Sequence, residues 1–321
     1  MTDRPLITFA LFAYNQEKFI EEAVLGVFYQ TYSPLEIILS DDGSSDNTFE
    51  IMSRMASEYV GPHTIVLNRN QPNIGLIQHV NKVVDEISKG EIVVMAAGDD
   101  ISFMDRVDKT WLAFCRDPNI FSVSMNFQMI DESGKHVESK FHHKESCFSL
   151  DDYLNGELIP KFGCTRAYRK ILFDVFGPLA EFNKTEDVPL MFRTILLGKS
   201  YHVEDEGVFY RDCCESISKN IDFKFREATY RQISSDLVIA NERNIVDRLR
   251  LDRLSFMLSE ELRLNYIWSL LPENEYKWRY YCRNVLLVND FSAREKILLF
   301  KVMMWNCKII TSILTLFPKF K

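Results

Sequence analysis

Residues 7–48 read ITFALFAYNQEKFIEEAVLGVFYQTYSPLEIILSDDGSSDNT. Two short apolar runs here, LITFALF (6–12) and LEIILS (35–40), have the length and the β-branched content of buried strands. Between them, Glu17 to Tyr29 has the spacing of a helix. A strand, a helix and a second strand in this order predict a βαβ unit, whose two strands lie parallel because the helix carries the chain back across the sheet.

The same alternation continues along the chain. Two more strand-like runs follow, TIVLN (64–68) and EIVVMAA (91–97). Helical spacing recurs in three further segments, 47–59, 75–88 and 104–115. Repeated strand–helix alternation predicts an α/β fold, in which a mostly parallel sheet is flanked by helices and linked by right-handed crossovers. Ligands of such sheets bind beyond the carboxyl ends of the strands.

The composition narrows the class of protein. The chain has 321 residues, 46% of them apolar and 26% charged, which is typical of a folded globular protein. Its net charge of −8 disfavours a general nucleic-acid binder, which needs a basic surface. The seven cysteines show no CxxC spacing, so neither a zinc site nor a disulfide framework is indicated, and a reducing cytosol fits best. The N-terminal apolar run is too short for a signal peptide.

Acidic pairs follow two of the predicted strands. Asp41 and Asp42 end LEIILSDD, and Asp99 and Asp100 end EIVVMAAGDD. Each pair can be interpreted as part of a turn or helix cap, but one cap uses only one side chain. Two adjacent carboxylates also suit Mg²⁺ or Mn²⁺, completed by waters and substrate phosphates. The other pair could accept hydrogen bonds from a base or ribose, and Tyr14 could stack on that base, so together these features predict a nucleoside diphosphate site.

These motifs, in this order, resemble those of family 2 glycosyltransferases, which have the GT-A fold. Residues 7–48 are similar to the family's first βαβ unit, and GDD (98–100) occupies the position of its DXD motif. The similarity continues through NQPNIGLIQHVNKVV (70–84) and KTEDVPLMFRTILLGKSYHVEDEGVFYR (184–211), and it covers roughly residues 5–220. The resemblance implies a GT-A (Rossmann-like) sheet that binds a nucleotide-sugar.

The resemblance also implies roles for matched positions. Asp42 would contact the base, Asp100 would bind the metal directly, and Asp187 would be the catalytic base. The implied donor-binding residues are Ala13, Tyr14, Asn15, Asp41, Asp42, Gly75, Asn81 and Asp99; the implied metal ligands are Asp100 and Asp99; the implied catalytic residues are Asp187 and Glu186.

The segment NKTEDVPLMFRTILLG (183–198) supports a catalytic base from its own pattern. Thr185 predicts a helix cap, which would place Glu186 and Asp187 in the first helical turn. The helix dipole favours anions there, so a capping role alone is an alternative interpretation of these two acids.

The implied reaction is direct displacement at the anomeric carbon, with inversion and no covalent intermediate. A divalent cation would stabilise the diphosphate leaving group, and a carboxylate would take the proton from the acceptor hydroxyl. We expect UDP-sugar donors before dTDP- or GDP-sugars, and a glycan or lipid-linked glycan as the acceptor. The alternatives are a nucleotidyltransferase acting on sugar phosphates and a catalytically silent sugar-binding or scaffold protein of the same fold.

The sequence departs from the family pattern at two positions. Cys213 stands where a His often helps to bind metal or diphosphate, and a thiol is a poor ligand for Mg²⁺. Val80 stands where an Arg is common. Neighbouring His79 is interpreted as structural. His142 and His143 are interpreted as solvated loop residues, because no third metal ligand has a recognisable spacing.

The character of the chain changes beyond residue 220. We predict a catalytic domain over 1–220 and a helical C-terminal extension over 221–321. The stretch 292–318 has the pattern of a basic amphipathic helix, since residues 294–321 hold six Lys or Arg and one Glu. Such a helix can lie on a lipid surface or pack in a dimer interface. We therefore expect a cytoplasmic protein, with peripheral contact to the inner face of the plasma membrane or homo-oligomerisation as alternatives.

Overall fold

The structure, a computed structural model, describes residues 4–138, 141–157, 163–212 and 223–269, without the side chains of 223–226 and 260–269. Cys213 and the segment 292–318 lie outside the described residues. The described strands are β1 (Ile7–Ala13), β2 (Leu35–Asp41), β3 (Thr64–Arg69), β4 (Ile92–Ala97), β5 (Ile101–Ser102), β6 (Ile120–Ile130), β7 (His136–Val137), β8 (Ser146–Ser149), β9 (Ala167–Arg169) and β10 (Lys199–Arg211).

Nine α-helices lie within the described residues. In chain order they are α1 (Ile20–Phe28), α2 (Thr48–Glu58), α3 (Leu76–Asn81), α4 (Arg106–Phe114), α5 (Leu150–Leu154), α6 (Ile171–Phe176), α7 (Asp187–Leu197), α8 (Phe223–Glu242) and α9 (Arg248–Ser269). The chain continues from α3 as a π-helix over Lys82–Ile87, and a 3₁₀ turn spans Gly163–Thr165. Not one of the described helices combines the length and the apolar character needed to cross a bilayer.

The strands form a single mixed sheet in the order β3-β2-β1-β4-β9-β6-β10-β5, with β7 paired to β6 and β8 paired to β10. The first four strands of this order run parallel, as the sequence predicts. β9 runs antiparallel between β4 and β6, and β10 is parallel to β6. The α/β prediction is confirmed, and the four predicted strands match β1 to β4 to within one residue at each end.

Alternate residues of β1 face two different cores. Phe9 and Leu11 pack with apolar side chains of α1, α2 and α4, whereas Ala10 and Phe12 pack with those of α3 and α6. All seven residues of β1 are buried, because helices cover both faces of the sheet. The carboxyl end of β1 at Ala13 is therefore fixed by packing on both faces of the sheet.

A third core joins α7 to the helices that follow β10. It contains Phe192 and Ile195 of α7, Ile233 and Leu237 of α8, and Leu254 of α9, all buried. Burial of apolar surface stabilises a fold by roughly 25 cal/mol per Å². Because the three helices bury these side chains against one another, α8 and α9 stabilise α7 directly. The helices on the two sides of the boundary predicted near residue 220 therefore share one hydrophobic core.

Candidate active site

The carboxyl ends of β1, β2 and β4 lie together at one edge of the sheet. The register pairs Ala13 of β1 with Asp41 of β2. Just beyond the strands, the N–H of Asp42 donates to the carbonyl of Ala13 and the N–H of Gly98 donates to the carbonyl of Phe12, each at 2.9 Å. The two predicted acidic pairs therefore follow the ends of β2 and β4, on either side of β1, at the edge where parallel sheets bind ligands.

Asp41 closes the turn that follows β2. Its buried carboxylate accepts hydrogen bonds from the N–H of Gly43 at 3.1 Å, from the N–H of Ser44 at 3.0 Å and from the Ser44 hydroxyl. The Nε of Arg69 lies 3.6 Å away. The turn interpretation therefore accounts for this carboxylate, and its contact with a nucleotide stays a prediction.

Asp42 ties the end of β2 to the loop that follows β3. Its Oδ1 accepts from Asn70 Nδ2 at 2.9 Å and from the N–H of Ile74 at 3.1 Å, and its Oδ2 accepts from the N–H of Gly75 at 2.9 Å. Lys82 Nζ donates to Asn70 Oδ1 at 2.8 Å, which orients the Asn70 amide so that its N–H₂ faces Asp42. An ionised Asp42 presents only acceptors, which would match a base that offers a ring N–H.

Asn70 and Lys82 were missed by the sequence reasoning. The polar loop NRNQPNIG (68–75) was the signal that could have identified Asn70, because it follows a predicted strand at the ligand-binding edge. Lys82 gave no such signal, since it lies in a helical segment one position after the predicted Asn81. Its role becomes visible only when the loop after β3 is folded against α3.

Tyr14 and Asn15 form the first loop of the site. Asn15 has a φ of 51°, and its N–H donates to the hydroxyl of Ser44 at 2.9 Å while its Oδ1 accepts from the N–H of Ser45 at 2.9 Å. These bonds join the loop after β1 to the loop after β2. Tyr14 is 50% exposed beside this junction, where an aromatic ring can stack on a base.

The second acidic pair, Asp99 and Asp100, lies in a poorly solvated position. Asp100 is 4% exposed, and burial together with the charge of Asp99 raises its pKa well above the ordinary range. Burial also raises the pKa of Asp99, although Arg211 and Gln16 oppose this change. Two ionised carboxylates at this place would therefore need additional positive charge. Neither residue caps α4, whose N-cap is Asp105, so the capping interpretation of this pair is wrong.

Arg211, the last residue of β10, holds this pair in place. Its N–H donates to Asp100 Oδ1 at 2.9 Å, and its Nε donates to the carbonyl of Asp99 at 3.0 Å. Its Nη1 donates to the carbonyls of Asp131 and Glu132, in the turn between β6 and β7, at 3.1 and 3.3 Å. Arg211 is buried and was missed by the sequence reasoning, because its partners come from distant parts of the chain.

Arg106 lies against the pair and binds the neighbouring turn, Gly163–Thr165. It is fully buried, and its Nη2 donates to the carbonyl of Met95 at 2.8 Å and to that of Cys164 at 3.0 Å. Burial lowers the pKa of Arg106 to about 10, so the side chain stays cationic near neutral pH. Burial and the charge of Asp100 raise the pKa of the Cys164 thiol, which therefore stays protonated.

The same turn contacts the predicted catalytic acids, Glu186 and Asp187. A Cβ placed on Gly163 would lie 3.4 Å from Asp187 Cβ and 3.4 Å from Glu186 Oε1, so the turn lies within van der Waals reach of both acids. Burial and the charge of Asp187 raise the pKa of Glu186 to about 7. A carboxylate that takes up a proton near neutral pH is suited to accept one during catalysis. The turn therefore lies between the two acidic pairs.

The prediction that Thr185 caps α7 is wrong. The helix begins at Asp187 and its N-cap residue is Glu186, whose side chain makes no capping hydrogen bond. The Oγ1 of Thr185 is buried without a hydrogen-bond partner among the described residues. Asp187 nonetheless lies in the first turn, where the helix dipole stabilises a carboxylate.

Two residues of α3 have contacts inside the protein. His79 is buried, its Nε2 lies 2.5 Å from the hydroxyl of Ser40, and burial lowers its pKa to about 4, in agreement with the structural interpretation. Asn81 uses both ends of its amide, donating to the carbonyl of Leu179 at 2.7 Å and accepting from the N–H of Leu179 at 2.8 Å. A nucleotide contact of Asn81 would compete with these bonds.

The Asp99-Asp100 pair fits a divalent cation that takes its remaining ligands from elsewhere. Within 4–138, 141–157, 163–212 and 223–269, no cluster of three or more His, Cys, Asp or Glu side chains could hold a metal by itself. The positive charge of a cation would offset the repulsion that raises the pKa of Asp100. Hard carboxylate oxygens suit Mg²⁺ or Mn²⁺ completed by phosphates and waters. His142 is instead exposed, 3.4 Å from Glu204.

The sequence of the chain matches a known protein family. The model of glycosyl transferase family 2 matches residues 8–177, just over half of the chain. The chain therefore belongs to glycosyl transferase family 2.

Curated relatives share only part of their length with this chain. The putative glycosyltransferase EpsE of Bacillus subtilis is 30% identical over 109 residues, which are 34% of this chain and 38% of that protein. The hyaluronan synthase of Pasteurella multocida is 26% identical over 218 residues, which are 64% of this chain and 22% of that protein.

Solved structures share the fold over most of the chain. The structure of S. aureus TarS 1–349 in complex with UDP-GlcNAc has a TM-score of 0.62 at 16% identity and covers 84% of this chain and 74% of its own. The mannosyltransferase PcManGT from Pyrobaculum calidifontis, in complex with GDP-Man and Mn²⁺, has a TM-score of 0.57 at 16% identity and covers 99% of this chain and 89% of its own. At these identities the likeness establishes the fold.

Proposed function

We propose that this protein is an inverting, metal-dependent glycosyltransferase. It transfers a sugar from a nucleoside diphosphate donor, with UDP favoured, to a hydroxyl of a glycan or lipid-linked glycan. The observation that carries the proposal is the separation of two acidic pairs, Asp99-Asp100 and Glu186-Asp187, by the Gly163–Thr165 turn. One pair suits a cation and a diphosphate, and the other suits proton removal, which are the two needs of glycosyl transfer.

At the donor end, Asp42 accepts a hydrogen bond from a ring N–H of the base. A uracil or thymine N3–H offers the single donor that one carboxylate requires, which favours UDP. The exposed ring of Tyr14 stacks on the base, and the neighbouring Asn15 ties the loop that carries Tyr14 to the loop after β2 through its bonds to Ser44 and Ser45. Tight tethering of Asp42 by Asn70 and Gly75 keeps its carboxylate in place before the donor arrives.

At the diphosphate end, Asp99 and Asp100 would hold Mg²⁺ or Mn²⁺, which would stabilise negative charge on the leaving diphosphate. Arg211 holds both residues beside the end of β10, because it donates hydrogen bonds to Asp100 Oδ1 and to the carbonyl of Asp99. Arg106, buried and cationic, limits the repulsion within the pair. Cys164, which stays a neutral thiol, adds no further negative charge.

At the acceptor end, Asp187 removes the proton from the attacking hydroxyl. Its neighbour Glu186 shares this environment and titrates near neutral pH, so the two acids act as a pair. Direct attack from the side of Asp187, with the diphosphate leaving on the side of Asp100, inverts the anomeric configuration. No protein nucleophile is needed for this path.

Differential scanning fluorimetry tests the donor site. UDP, dTDP and GDP are each added with and without Mn²⁺, and we expect UDP with Mn²⁺ to raise the Tm most. Absence of stabilisation by all three nucleotides would contradict a nucleotide-sugar site. A larger shift with GDP than with UDP would correct the choice of base.

The anomeric configuration of the product tests the mechanism. With an α-linked nucleotide-sugar as donor, proton NMR of the initial product should show the β anomer, and a retained α linkage would contradict inversion. Asp187→Asn should abolish transfer while the Kd for UDP is unchanged. Loss of UDP binding in this variant would instead indicate a structural cap.

Peripheral membrane contact through 292–318 is proposed from the basic amphipathic pattern of that segment alone. Sedimentation with vesicles that contain phosphatidylglycerol, compared with neutral vesicles, tests it. We expect the full chain to bind the anionic vesicles and a chain ending at residue 291 to lose that binding. Equal binding by both chains would contradict the membrane role, and a change of oligomeric state on truncation would favour a dimer interface.

A further inference from the structure

The loop that leads to the catalytic acids, residues 177–186 between α6 and α7, is held by side chains from two distant helices. On one side, Asn81 of α3 exchanges two hydrogen bonds with the main chain of Leu179, at 2.7 and 2.8 Å. On the other side, Gln232 of α8 accepts from the N–H of Ala180 at 2.8 Å and from Asn183 Nδ2 at 2.9 Å.

A buried ion pair fixes the α8 side of this loop. Arg193 of α7 and Asp236 of α8 are fully buried and joined by two hydrogen bonds of 2.9 and 3.0 Å. Arg193 also donates to the carbonyl of Gly177 at 2.7 Å, at the start of the loop. Gln232 donates to Asp236 Oδ1 at 2.9 Å, so the bonds of the ion pair and of the loop form one network.

The α3 side of the loop connects it to the donor site. The N–H of Gly75, immediately before α3, donates to Asp42 Oδ2 at 2.9 Å, and Asn81 is the last residue of α3. One short helix therefore contacts the base-binding carboxylate at its beginning and the loop of the catalytic acids at its end. A shift of the loop around Asp42 on donor binding would be passed to Leu179 through this helix.

We propose that Asn81 and Gln232 are positioning residues that hold the 177–186 loop, and thereby place Glu186 and Asp187 relative to the donor site. The proposal rests on the proposed function, because it assigns these two acids to proton removal. It gives α8, which lies beyond the region matched by the family model, a part in the placement of the catalytic base. Neither Asn81 nor Gln232 touches the reacting atoms.

The variants Asn81→Leu and Gln232→Leu test the proposal, with Ser235→Ala on the exposed side of α8 as the matched control. We expect each Leu variant to lower the kcat of glycosyl transfer, measured as UDP released, by roughly tenfold or more. The reason is that the rate falls steeply when catalytic groups are displaced. The Kd for UDP with Mn²⁺ should be unchanged. In the double variant the losses should be less than multiplicative, because both residues hold one loop.

Two further readouts separate positioning from a merely structural role. Loosening the loop admits water to Glu186, so the acidic limb of the kcat–pH profile should move to lower pH. Asn81→Asp keeps an acceptor for the N–H of Leu179, and it should recover part of the kcat that Asn81→Leu loses. An unchanged kcat, a pH limb that does not move, or a weaker Kd for UDP in Asn81→Leu would overturn the proposal.

Hydrogen exchange gives a readout that does not need turnover. In the wild type, UDP with Mn²⁺ should slow amide exchange in 177–186, and in Asn81→Leu this slowing should be lost although UDP still binds. If UDP binds and leaves exchange in 177–186 unchanged in the wild type, the coupling is wrong while the donor site stands. If UDP does not bind the wild type, the proposed function itself fails.

Discussion

Adjacent acids in this protein have different partners. The carboxylate of Asp41 accepts hydrogen bonds within the turn after β2, whereas that of Asp42 accepts hydrogen bonds from the loop after β3. The carboxylate of Asp100, which is almost fully buried, accepts a hydrogen bond from the N–H of Arg211. Arg211 contacts Asp99 differently, because its Nε donates to the main-chain carbonyl of Asp99. The two acids of each pair are therefore held by different parts of the fold.

The stability of the protein should depend on the ionisation of Glu186. Its pKa is about 7 in the folded protein against an ordinary value of 4.5, because burial and Asp187 disfavour its charged form. The stability contributed by the protonated form is complete below the ordinary pKa and is lost as the pH rises through the folded pKa. The Tm of the wild type should therefore fall between about pH 5 and about pH 8, and that of Glu186→Gln should fall less. An equal fall in both proteins would contradict the raised pKa.

Asp100→Asn should separate stability from metal use. Without metal, the variant should be as stable as the wild type or more stable, because it removes a buried charge beside Asp99 while Oδ1 can still accept the N–H of Arg211. The gain in UDP affinity on adding Mn²⁺ should disappear, as measured by isothermal titration calorimetry. Asp85→Asn, on the exposed surface, is the matched control. A full Mn²⁺ effect in Asp100→Asn would assign the cation to another site.

At the scale of elements, the loops after β2 and β3 pack against each other. Gly43 has a φ of 72°, and a Cβ at this position would lie 2.8 Å from the N atom of Asn73 and 3.0 Å from the carbonyl oxygen of Asn70. The same loop supplies the donors to Asp42 from Asn70, Ile74 and Gly75. The geometry around Asp42, the proposed base contact, is thus set by a close approach of two main chains.

Gly43→Ala should therefore weaken UDP binding as well as stability. Gly134→Ala is the matched control, because Gly134 has a φ of 79° but no atom within 4 Å of an added Cβ. Gly134→Ala should cost about 1–2 kcal/mol for a left-handed residue with a side chain, and Gly43→Ala should cost more because its Cβ would also meet main-chain atoms. Only Gly43→Ala should also raise the Kd for UDP, measured by calorimetry. Equal Kd values in the two variants would mean that the loop can adjust without loss.

At the scale of the whole molecule, the buried pair Arg193–Asp236 joins the sheet-bearing region to α8. Asp236→Ala leaves Arg193 buried without its partner and should lower the free energy of unfolding by about 3–5 kcal/mol in urea. Asp252→Ala removes an exposed partner of Arg248 within α9 and should cost at most about 0.5 kcal/mol. Similar small losses in both variants would show that α8 contributes little to the stability of the domain.

The local pattern predicted β1 to β4 well because buried parallel strands are continuous apolar runs and their order dictates their direction. The helix cap at Thr185 was predicted wrongly for the opposite reason. Thr is a common cap, but the loop before α7 is held by Asn81 and Gln232, and with these tertiary contacts the helix starts one residue later, with Glu186 as its N-cap residue. Propensity decides a helix end only where no stronger contact competes.

The sequence by itself determined the α/β fold and the sheet edge at which the two acidic pairs after β2 and β4 lie, because each follows from periodicity and from what comes after a strand. Only the tertiary structure decided how those acids are held. Lys82 orients Asn70, Arg211 joins β10 to the Asp99-Asp100 pair, and Asn81 and Gln232 fix the loop before Glu186. Most of these partners are far apart in the sequence. The hydrogen bonds between them depend on tertiary packing, which no local sequence pattern encodes.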